Sequence, residues 1–258
     1  MYQLECSAIT YIGLVREKNE DNYYVNGKFK SNSKSDTEGY SDNEPRDSYL
    51  YAVCDGMGGE ALGERASLIA VAALSHFQLT DIRRTINKYI HAANRLICDE
   101  MQKNGDAQMG TTLALLYIHN GIAYAYNVGD SRVYMLRDDD LYLLTEDHTE
   151  AQQLVEMGRL RPEDASFHES RNKLTQHLGI PIEGFKIKPY ISEDVEIREN
   201  DIFMVCSDGL TDMVSDDDIA DCLITENANA TELVKMLASK TQENGGRDNA
   251  TIIVVKVL

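Results

Sequence analysis

Positive charge is scarce in this sequence. Among its 258 residues, Lys and Arg total 25 against 43 Asp and Glu, which gives a formal net charge of −18. Because binding to nucleic-acid phosphates requires clustered Lys and Arg, this balance argues against a nucleic-acid partner. Excess acid commonly keeps a protein soluble. The alternative is that some of the acid binds cations, although most of it must be solvated surface in either case.

Paired cysteines and long apolar runs are also missing. No Cys-x-x-Cys pair occurs, and the five cysteines are scattered as Cys6, Cys54, Cys98, Cys206 and Cys222. An odd number without metal-binding spacing predicts a reducing compartment. No stretch reaches the roughly 20 apolar residues of a membrane helix. The N-terminus lacks the basic and apolar segments of a signal peptide. We therefore expect a cytoplasmic protein without a membrane partner.

Apolar periodicity predicts strands and helices in a layered order. Strands are predicted at Tyr49–Asp55, Leu113–Ile118, Ile122–Val128, Val133–Leu136, Leu141–Leu144, Asp201–Ser207 and Ala250–Leu258. Helices are predicted around Leu62–Phe77, Ile86–Ile97, Asp216–Ile224 and Thr231–Thr241. Asn120-Gly121 favours a type I′ hairpin, and strands joined by such short turns are antiparallel. With neither a repeat nor a linker in view, we expect one domain over 1–258, of a layered α+β class.

Two segments are predicted to lie at the periphery. Residues 26–48 are polar, contain no Leu, Ile or Val, and indicate an exposed loop. Residues 149–190 contain a short predicted helix, Ala151–Met157, followed by an irregular stretch. Long irregular inserts of this kind are often functional lids. A mobile but inert loop is the alternative at this stage.

Acidic residues recur at the ends of the predicted strands, beside glycine. They are Asp55, Asp130, Asp208 with Asp212 four residues on, and Asp248. One such carboxylate is easily explained as a turn former. Four repetitions are harder to explain in that way, because strands of one sheet can converge their ends on a common point. Carboxylates gathered without cations repel one another. Mg²⁺ and Mn²⁺ prefer oxygen ligands, and glycine lets backbone carbonyls approach an ion.

Other candidate groups are an arginine near the N-terminus and the histidines. Arg16 precedes the acidic pair Glu20-Asp21, and its planar guanidinium matches two phosphate oxygens. Alone this is a commonplace surface arginine; beside a cation cluster it is a candidate phosphate clamp. The histidines have no His-x-x-x-His spacing, which argues against a zinc hydrolase.

Several short strings, in order, carry a resemblance to a known family. They are Gly13-x-x-Arg16-x-x-Asn19-Glu20-Asp21, Asp55-Gly-Met-Gly-Gly59, Gly110-Thr-Thr112, Val128-Gly-Asp-Ser-Arg132, Thr145-x-Asp147-His148, Ser207-Asp-Gly-Leu210 and Arg247-Asp-Asn249. One such string means little, but seven in order are specific. The set resembles the metal-dependent serine/threonine protein phosphatases of the type 2C family in their bacterial form, over essentially the whole chain.

The resemblance implies a fold and a set of metal ligands. The fold is a four-layer α-β-β-α sandwich of two antiparallel sheets flanked by helix pairs, with the metals at one end between the sheets. Two Mn²⁺ or Mg²⁺ ions are implied. Asp55 would bridge them, Gly56 would lend its carbonyl, and Asp208 and Asp248 would complete one coordination sphere.

Five further residues receive roles from the same resemblance. Glu20 and Asp21 match the acids that hold metal-bound waters, and Arg16 matches the arginine that binds the substrate phosphate. Asp130 and Asp212 match a pair that, with the Asp208 region, binds a third and weaker ion in bacterial relatives.

One departure leaves the leaving-group acid unassigned. Many eukaryotic members have a histidine directly after the Asp-Gly pair, where this chain has Met57. His148 is a candidate acid, with a structural role as the alternative. The expected substrates are phosphoproteins, including a cognate serine/threonine kinase and its targets, and the expected state is a monomer. The competing functions are a phosphatase of small phosphoesters and a catalytically silent binding module, which loss of the metal aspartates would have indicated.

Overall fold

The computed structural model describes residues 2–31, 37–58, 62–76, 82–105, 107–181 and 186–258. Gly59 of the glycine-rich string and Phe77 of the first predicted helix lie outside the described residues, as do parts of the two peripheral segments.

The strands are β1 (Leu4–Tyr11), β2 (Asn22–Val25), β3 (Lys28–Phe29), β4 (Thr37–Asp42), β5 (Ser48–Cys54), β6 (Gly56–Gly58), β7 (Met109–Thr111), β8 (Leu113–His119), β9 (Ile122–Val128), β10 (Arg132–Arg137), β11 (Asp140–Leu143), β12 (Tyr190–Ile191), β13 (Val195–Glu196), β14 (Ile202–Cys206) and β15 (Ala250–Val257). The helices are α1 (Gly63–Leu74), α2 (Ile82–Lys103), α3 (Glu150–Glu156), α4 (Asp208–Thr211), α5 (Asp216–Leu223) and α6 (Ala230–Glu243), with a 3-10 helix at Pro162–Phe167.

These strands form two large antiparallel sheets. The first runs in the order β11-β10-β14-β15-β1-β4, and the second in the order β12-β9-β8-β5-β2-β3, with β13 also paired to β9. A small third sheet pairs β6 with β7, directly beyond the end of β5. None of the helices in the described ranges is long and apolar enough to cross a bilayer.

The layers follow from strands that are buried on both faces. Along β15, Ile253 and Val255 pack between the two sheets, while Ile252 and Val254 pack towards α5 and α6. This alternation is the period-two geometry of a strand. A third apolar cluster fills the space between the second sheet and the α1–α2 pair. Three buried layers between four layers of structure confirm the expected α-β-β-α sandwich.

The hairpin between β8 and β9 forms at the predicted dipeptide. Asn120 and Gly121 have φ values of 52° and 77°, the left-handed pair that a type I′ turn requires. His119 pairs with Ile122 directly on either side of the turn. The register of these two central strands therefore follows from a local sequence signal.

The expectation of an exposed loop over 26–48 was wrong in part. Strands β3 and β4 lie in this stretch, and β4 pairs with β1 at the edge of the first sheet. Its side chains alternate between exposed and half-buried positions up to Asp42, which is buried. The strand therefore lacks the alternating apolar residues that would predict it, and its backbone pairing with β1 holds it in place. Lys30 is only 1% exposed, and its Nζ donates to the carbonyl of Asn19 at 2.9 Å.

In the second peripheral segment, residues 173–175 return to the start of the segment and pair with residues 148–150. The predicted helix is confirmed as α3, capped by the Thr149 hydroxyl, which accepts the Gln152 N–H at 3.2 Å. The Glu150 N–H donates to the carbonyl of Lys173 at 2.9 Å, and the Thr175 N–H donates to that of His148 at 2.8 Å. The role of this segment as a movable flap stays a prediction.

Candidate active site

The strand-end acids meet because the antiparallel pairing brings their strand ends to one edge of the sandwich. Asp55 follows β5, Asp130 follows β9, Asp208 opens α4 directly after β14, and Asp248 lies just before β15. They line a cavity of about 480 Å³. The predicted site residues on its wall are Arg16, Glu20, Asp55, Gly56, Asp130, Asp208 and Asp248.

The acids of this cavity are electrostatically strained. Burial raises the pKa of Asp55 well above its usual range, and the charges of Asp21 and Asp208 raise it further. Burial likewise raises the pKa of Asp208 to about 7. The pKa of Asp130 is raised by burial and by the Asp208 charge. Burial and nearby like charges both disfavour the ionised form of a carboxyl. A cation at this place would therefore lower the free-energy cost of keeping these acids ionised.

Asp21 lies behind the cavity wall, where the two sheets meet. Its Oδ2 is 2.8 Å from the Ser207 hydroxyl and 2.8 Å from the Thr251 hydroxyl. Its Oδ1 is buried with no hydrogen-bond partner. Burial raises the pKa of Asp21 to about 6, against the effect of these hydrogen bonds. An acid in this position fits the predicted role of holding a water that reaches out to an ion.

The residues present fit a divalent cation by their chemistry. Asp208 Oδ1, like that of Asp21, is a buried carboxylate oxygen without a hydrogen-bond partner, which is unusual and calls for a missing partner. At Gly56, a Cβ would lie 2.5 Å from the carbonyl oxygen of Glu20 and would also overlap Gly63. The backbone here is therefore packed at a distance that only glycine permits.

The acids are nevertheless not arranged as finished ligands. Among the described residues, no three Asp, Glu, His or Cys side chains are placed to hold one ion as they stand. Arg16 Nη2 donates to Asp248 Oδ2 at 2.6 Å, so a guanidinium places positive charge beside one of these acids. As a set of carboxylate and carbonyl oxygens, these donors nevertheless suit Mn²⁺ or Mg²⁺ by type.

Arg16 lies at the mouth of the cavity, with 54% of its side chain exposed. The bond to Asp248 is the main cause that raises the pKa of Arg16. Asp248 uses its other oxygen to accept the Asn249 N–H at 2.8 Å. An exposed guanidinium beside these acids is suitably placed to bind the phosphate group of a substrate. That role stays a prediction.

Glu20 is held from three sides. Its N–H donates to Asn249 Oδ1 at 2.8 Å, and its carbonyl accepts the Ser67 hydroxyl at 2.6 Å. Its carboxylate lies against the start of α1, where a Cβ on Gly63 would be 2.7 Å from Oε2. The positive end of a helix dipole favours a carboxylate there. Burial nevertheless raises the pKa of Glu20, with Arg16 opposing that shift.

Asp212 faces a neighbouring groove of about 980 Å³ that Asp130 and Asp208 also line. Its Oδ2 accepts Asn172 Nδ2 at 3.0 Å and Arg171 Nη2 at 3.3 Å. The three acids proposed for a weaker third ion therefore do share one groove. Two residues after the 3-10 helix, Arg171 and Asn172, thus contact the carboxylate of Asp212.

The contacts of His148 favour its structural alternative. Its backbone N–H donates to the Gly129 carbonyl at 2.9 Å, and its ring Nδ1 accepts the Gly129 N–H at 3.1 Å. The ring proton therefore sits on Nε2 in the neutral form. Burial lowers the pKa of His148, which opposes a protonated ring. His148 is also absent from the described residues that line the cavity. Its observed contacts hold the turn that carries Asp130.

Sequence reasoning missed the residues that hold the acids in place. The Thr112 hydroxyl accepts the Asp55 N–H at 2.9 Å, and the Thr111 hydroxyl donates to the Asp55 carbonyl at 2.8 Å. Asn249 donates to the carbonyls of Ile12 at 2.9 Å and Lys18 at 2.8 Å. These residues occur in the strings quoted above, but only the assembled fold reveals their partners. His177, which also lines the cavity, was missed as well.

Comparison with known proteins extends this description. The family model for protein phosphatase 2C matches residues 9–250. The serine/threonine protein phosphatase PstP of Mycobacterium tuberculosis is 35% identical over 95% of this chain, which spans only 43% of that protein. The serine/threonine phosphatase stp of Listeria welshimeri is 33% identical, over 95% of this chain and 92% of its own length.

A solved structure shows the same architecture. The catalytic domain of PstP, in complex with two manganese ions, superposes with a TM-score of 0.80 at 32% identity, and the match covers 100% of both chains. The sandwich, the order of the strings and the converging acids thus point to one family.

Proposed function

Since this chain belongs to the protein phosphatase 2C family, we propose that it hydrolyses phosphoserine and phosphothreonine in proteins with the help of Mn²⁺ or Mg²⁺. The observation that carries the proposal is the cluster of buried aspartates at the strand ends. Burial raises the pKa values of Asp55, Asp130 and Asp208, and one oxygen of Asp208 has no hydrogen-bond partner. A bound divalent cation would neutralise the buried carboxylates and would give the Asp208 oxygen a partner.

We assign the ligands by chemistry and position. Asp55, the Gly56 carbonyl, Asp208 and Asp248 would hold the two ions. Asp21 and Glu20 would hold metal-bound waters. A third, weaker ion would use Asp130, Asp208 and Asp212, which share the neighbouring groove. When bound, such ions supply a water acidified to near neutral pH and neutralise charge on the phosphoryl group.

The chain's own residues orient and position the substrate. Arg16 at the cavity mouth would bind two phosphate oxygens through its guanidinium, releasing Asp248 as it does so. The threonine pair at 111–112 holds the backbone N–H and carbonyl of Asp55, which fixes where this residue leaves the end of β5. No cysteine is needed for catalysis, because Cys54 and Cys206 are fully buried and no phosphoenzyme forms in this scheme.

Phosphoprotein substrates are supported by the relatives and by the shape of the site. The compared proteins from M. tuberculosis and L. welshimeri are named serine/threonine phosphatases. The cavity adjoins a larger groove, and Asp130, Asn172 and Asp208 line both. A groove of about 980 Å³ beside the acids can receive a peptide segment. We further propose a cognate serine/threonine kinase among the substrates, and a monomeric enzyme.

The test is metal dependence combined with substitution of one acid. Purified protein should release phosphate from a phosphoserine or phosphothreonine peptide with Mn²⁺, lose that activity in EDTA, and regain it when Mn²⁺ is restored. Asp55→Asn should be inactive under all of these conditions, while Asp221→Asn, an exposed helix acid, should match wild type. Full activity after rigorous chelation would refute the metal mechanism. Activity on small phosphoesters alone would refute the protein substrate.

A further inference from the structure

His177 lies on the wall of the cavity that holds the aspartates. It lines this cavity together with Asp55, Gly56 and Met57, and its side chain is half-buried. The residue lies within the peripheral segment 149–190 and directly precedes residues that hydrogen-bond to α2. Neither the strand-end pattern nor the family strings pointed to it.

The backbone around His177 is firmly held. The next residue, Leu178, makes a two-way bridge with Thr111, with N–H to carbonyl distances of 2.8 and 3.0 Å. Asn94 on α2 accepts the Gly179 N–H at 2.6 Å and donates to the Ile180 carbonyl at 2.9 Å. Because Thr111 also bonds the Asp55 carbonyl, His177 and Asp55 are anchored to the same short strand, β7.

The orientation of the ring follows from two contacts. Its Nδ1 lies 2.9 Å from the Leu178 carbonyl oxygen, and a carbonyl only accepts, so Nδ1 carries a proton and donates. A Cβ on Gly110 would be 2.6 Å from Nδ1 and 3.1 Å from Cε1. The ring therefore packs on the open face of Gly110. Met57 is the direct cross-strand partner of Gly110, and paired residues point to the same side of a sheet. The imidazole thus lies beside Met57, one residue beyond Gly56.

Among the described residues lining this cavity, few side chains can give up a proton. The proposed function commits the carboxylates to metal ions, and Met57 has no acidic proton. Arg16 is always charged and does not release its proton in proteins. His177 is the lining histidine in the described part of the chain, and histidine is the side chain that exchanges a proton near neutral pH. With Nδ1 donating to Leu178, the proton that a ligand can take is the Nε2–H of the protonated ring, and loss of that proton leaves the neutral ring with its hydrogen on Nδ1.

We propose that His177 is the general acid that protonates the departing serine or threonine oxygen, an inference that rests on the proposed phosphatase function. A water oxygen forms a bond to phosphorus while the bond from phosphorus to the side-chain oxygen breaks. The electron pair of that bond stays on the departing oxygen, which takes the Nε2 proton of His177. The attacking water keeps one hydrogen on the product phosphate and releases the other to solvent. His177 regains a proton from solvent, so the products are the free hydroxyl and inorganic phosphate.

The experiment compares leaving groups. A seryl oxygen needs a proton to leave readily, whereas p-nitrophenolate does not. With Mn²⁺ present, His177→Gln should lower kcat for a phosphoserine peptide by about 10²–10⁴, the range for a general acid. Hydrolysis of p-nitrophenyl phosphate should change by less than about threefold, since no acid is required. His119→Gln, at the far end of β8, is the matched control and should leave both rates unchanged.

Further measurements keep the inference falsifiable. The variant should bind Mn²⁺ by calorimetry like wild type. On wild type alone, rates across a series of aryl phosphates should depend only weakly on leaving-group acidity, and this measurement needs no variant to fold. Equal slowing of both substrates by His177→Gln, no slowing of either, or a steep leaving-group dependence in wild type would each overturn the assignment. Failure of wild type to hydrolyse either substrate with Mn²⁺ would instead refute the proposed function.

Discussion

Replacing Asp208 by Asn should stabilise the metal-free protein at alkaline pH while abolishing activity. The folded protein raises the pKa of Asp208 from 3.8 to about 7. The folded state binds this proton more tightly than the unfolded chain does. The contribution of this proton to folding stability is therefore complete below the unfolded pKa of 3.8 and is lost as pH rises through the folded pKa of about 7. At pH 8 the shift corresponds to about 4 kcal/mol, at 1.36 kcal/mol for each pKa unit. Asn mimics the neutral acid and removes that cost.

The side chain of Asp208 hydrogen-bonds that of Asp55, and the amide of Asn can donate in its place, so a gain of about 2–4 kcal/mol is expected after neighbouring acids adjust. For a chain of this size the gain corresponds to a rise in Tm of roughly 5–15 °C. Thermal melts in EDTA at pH 8 and pH 4 measure it, and the gain should vanish at pH 4. Added Mn²⁺ should stabilise wild type far more than the variant. Asp221→Asn removes one exposed charge as a control and should shift neither melt. A variant less stable than wild type in EDTA at pH 8 would show that Asp208 is a structural turn former.

Three further predictions concern residues whose surroundings are now known. Arg16→Ala should raise KM for a phosphoserine peptide about tenfold or more while calorimetric Mn²⁺ affinity is retained, and a large loss of Mn²⁺ binding would assign Arg16 to the metal site. His148→Gln should slow peptide and p-nitrophenyl phosphate hydrolysis by the same factor, because its ring holds a backbone turn; selective slowing of the peptide would make His148 the acid instead. Gly209→Ala should cost more than about 3 kcal/mol in urea unfolding, since its Cβ would overlap the Asn249 carbonyl. Gly39→Ala meets an atom only at 3.4 Å and should be mild by comparison.

The strand-end acids could be predicted because their signal is local. An apolar run followed by Asp and Gly marks Asp55 and Asp208 without any knowledge of the fold, and convergence follows from antiparallel pairing. The same holds for the hairpin at 120–121. The supports of these acids could not be predicted, since the Thr112 hydroxyl reaches the Asp55 N–H across 57 positions of sequence. Lys30 was assigned to an exposed loop because its neighbours are polar, and its burial depends on the fold around it.

The cysteines placed in the layers of the sandwich determine how this protein should respond to oxidants. Cys6, Cys54 and Cys206 are at most 2% exposed, and burial raises the pKa of Cys6 and of Cys206 to about 12. Peroxide and alkylating reagents attack the thiolate, a form that these buried thiols do not reach at neutral pH. An enzyme of the proposed kind, which uses carboxylates for catalysis and keeps these three thiols protonated and buried, should remain active under oxidising conditions that inactivate enzymes with a cysteine nucleophile.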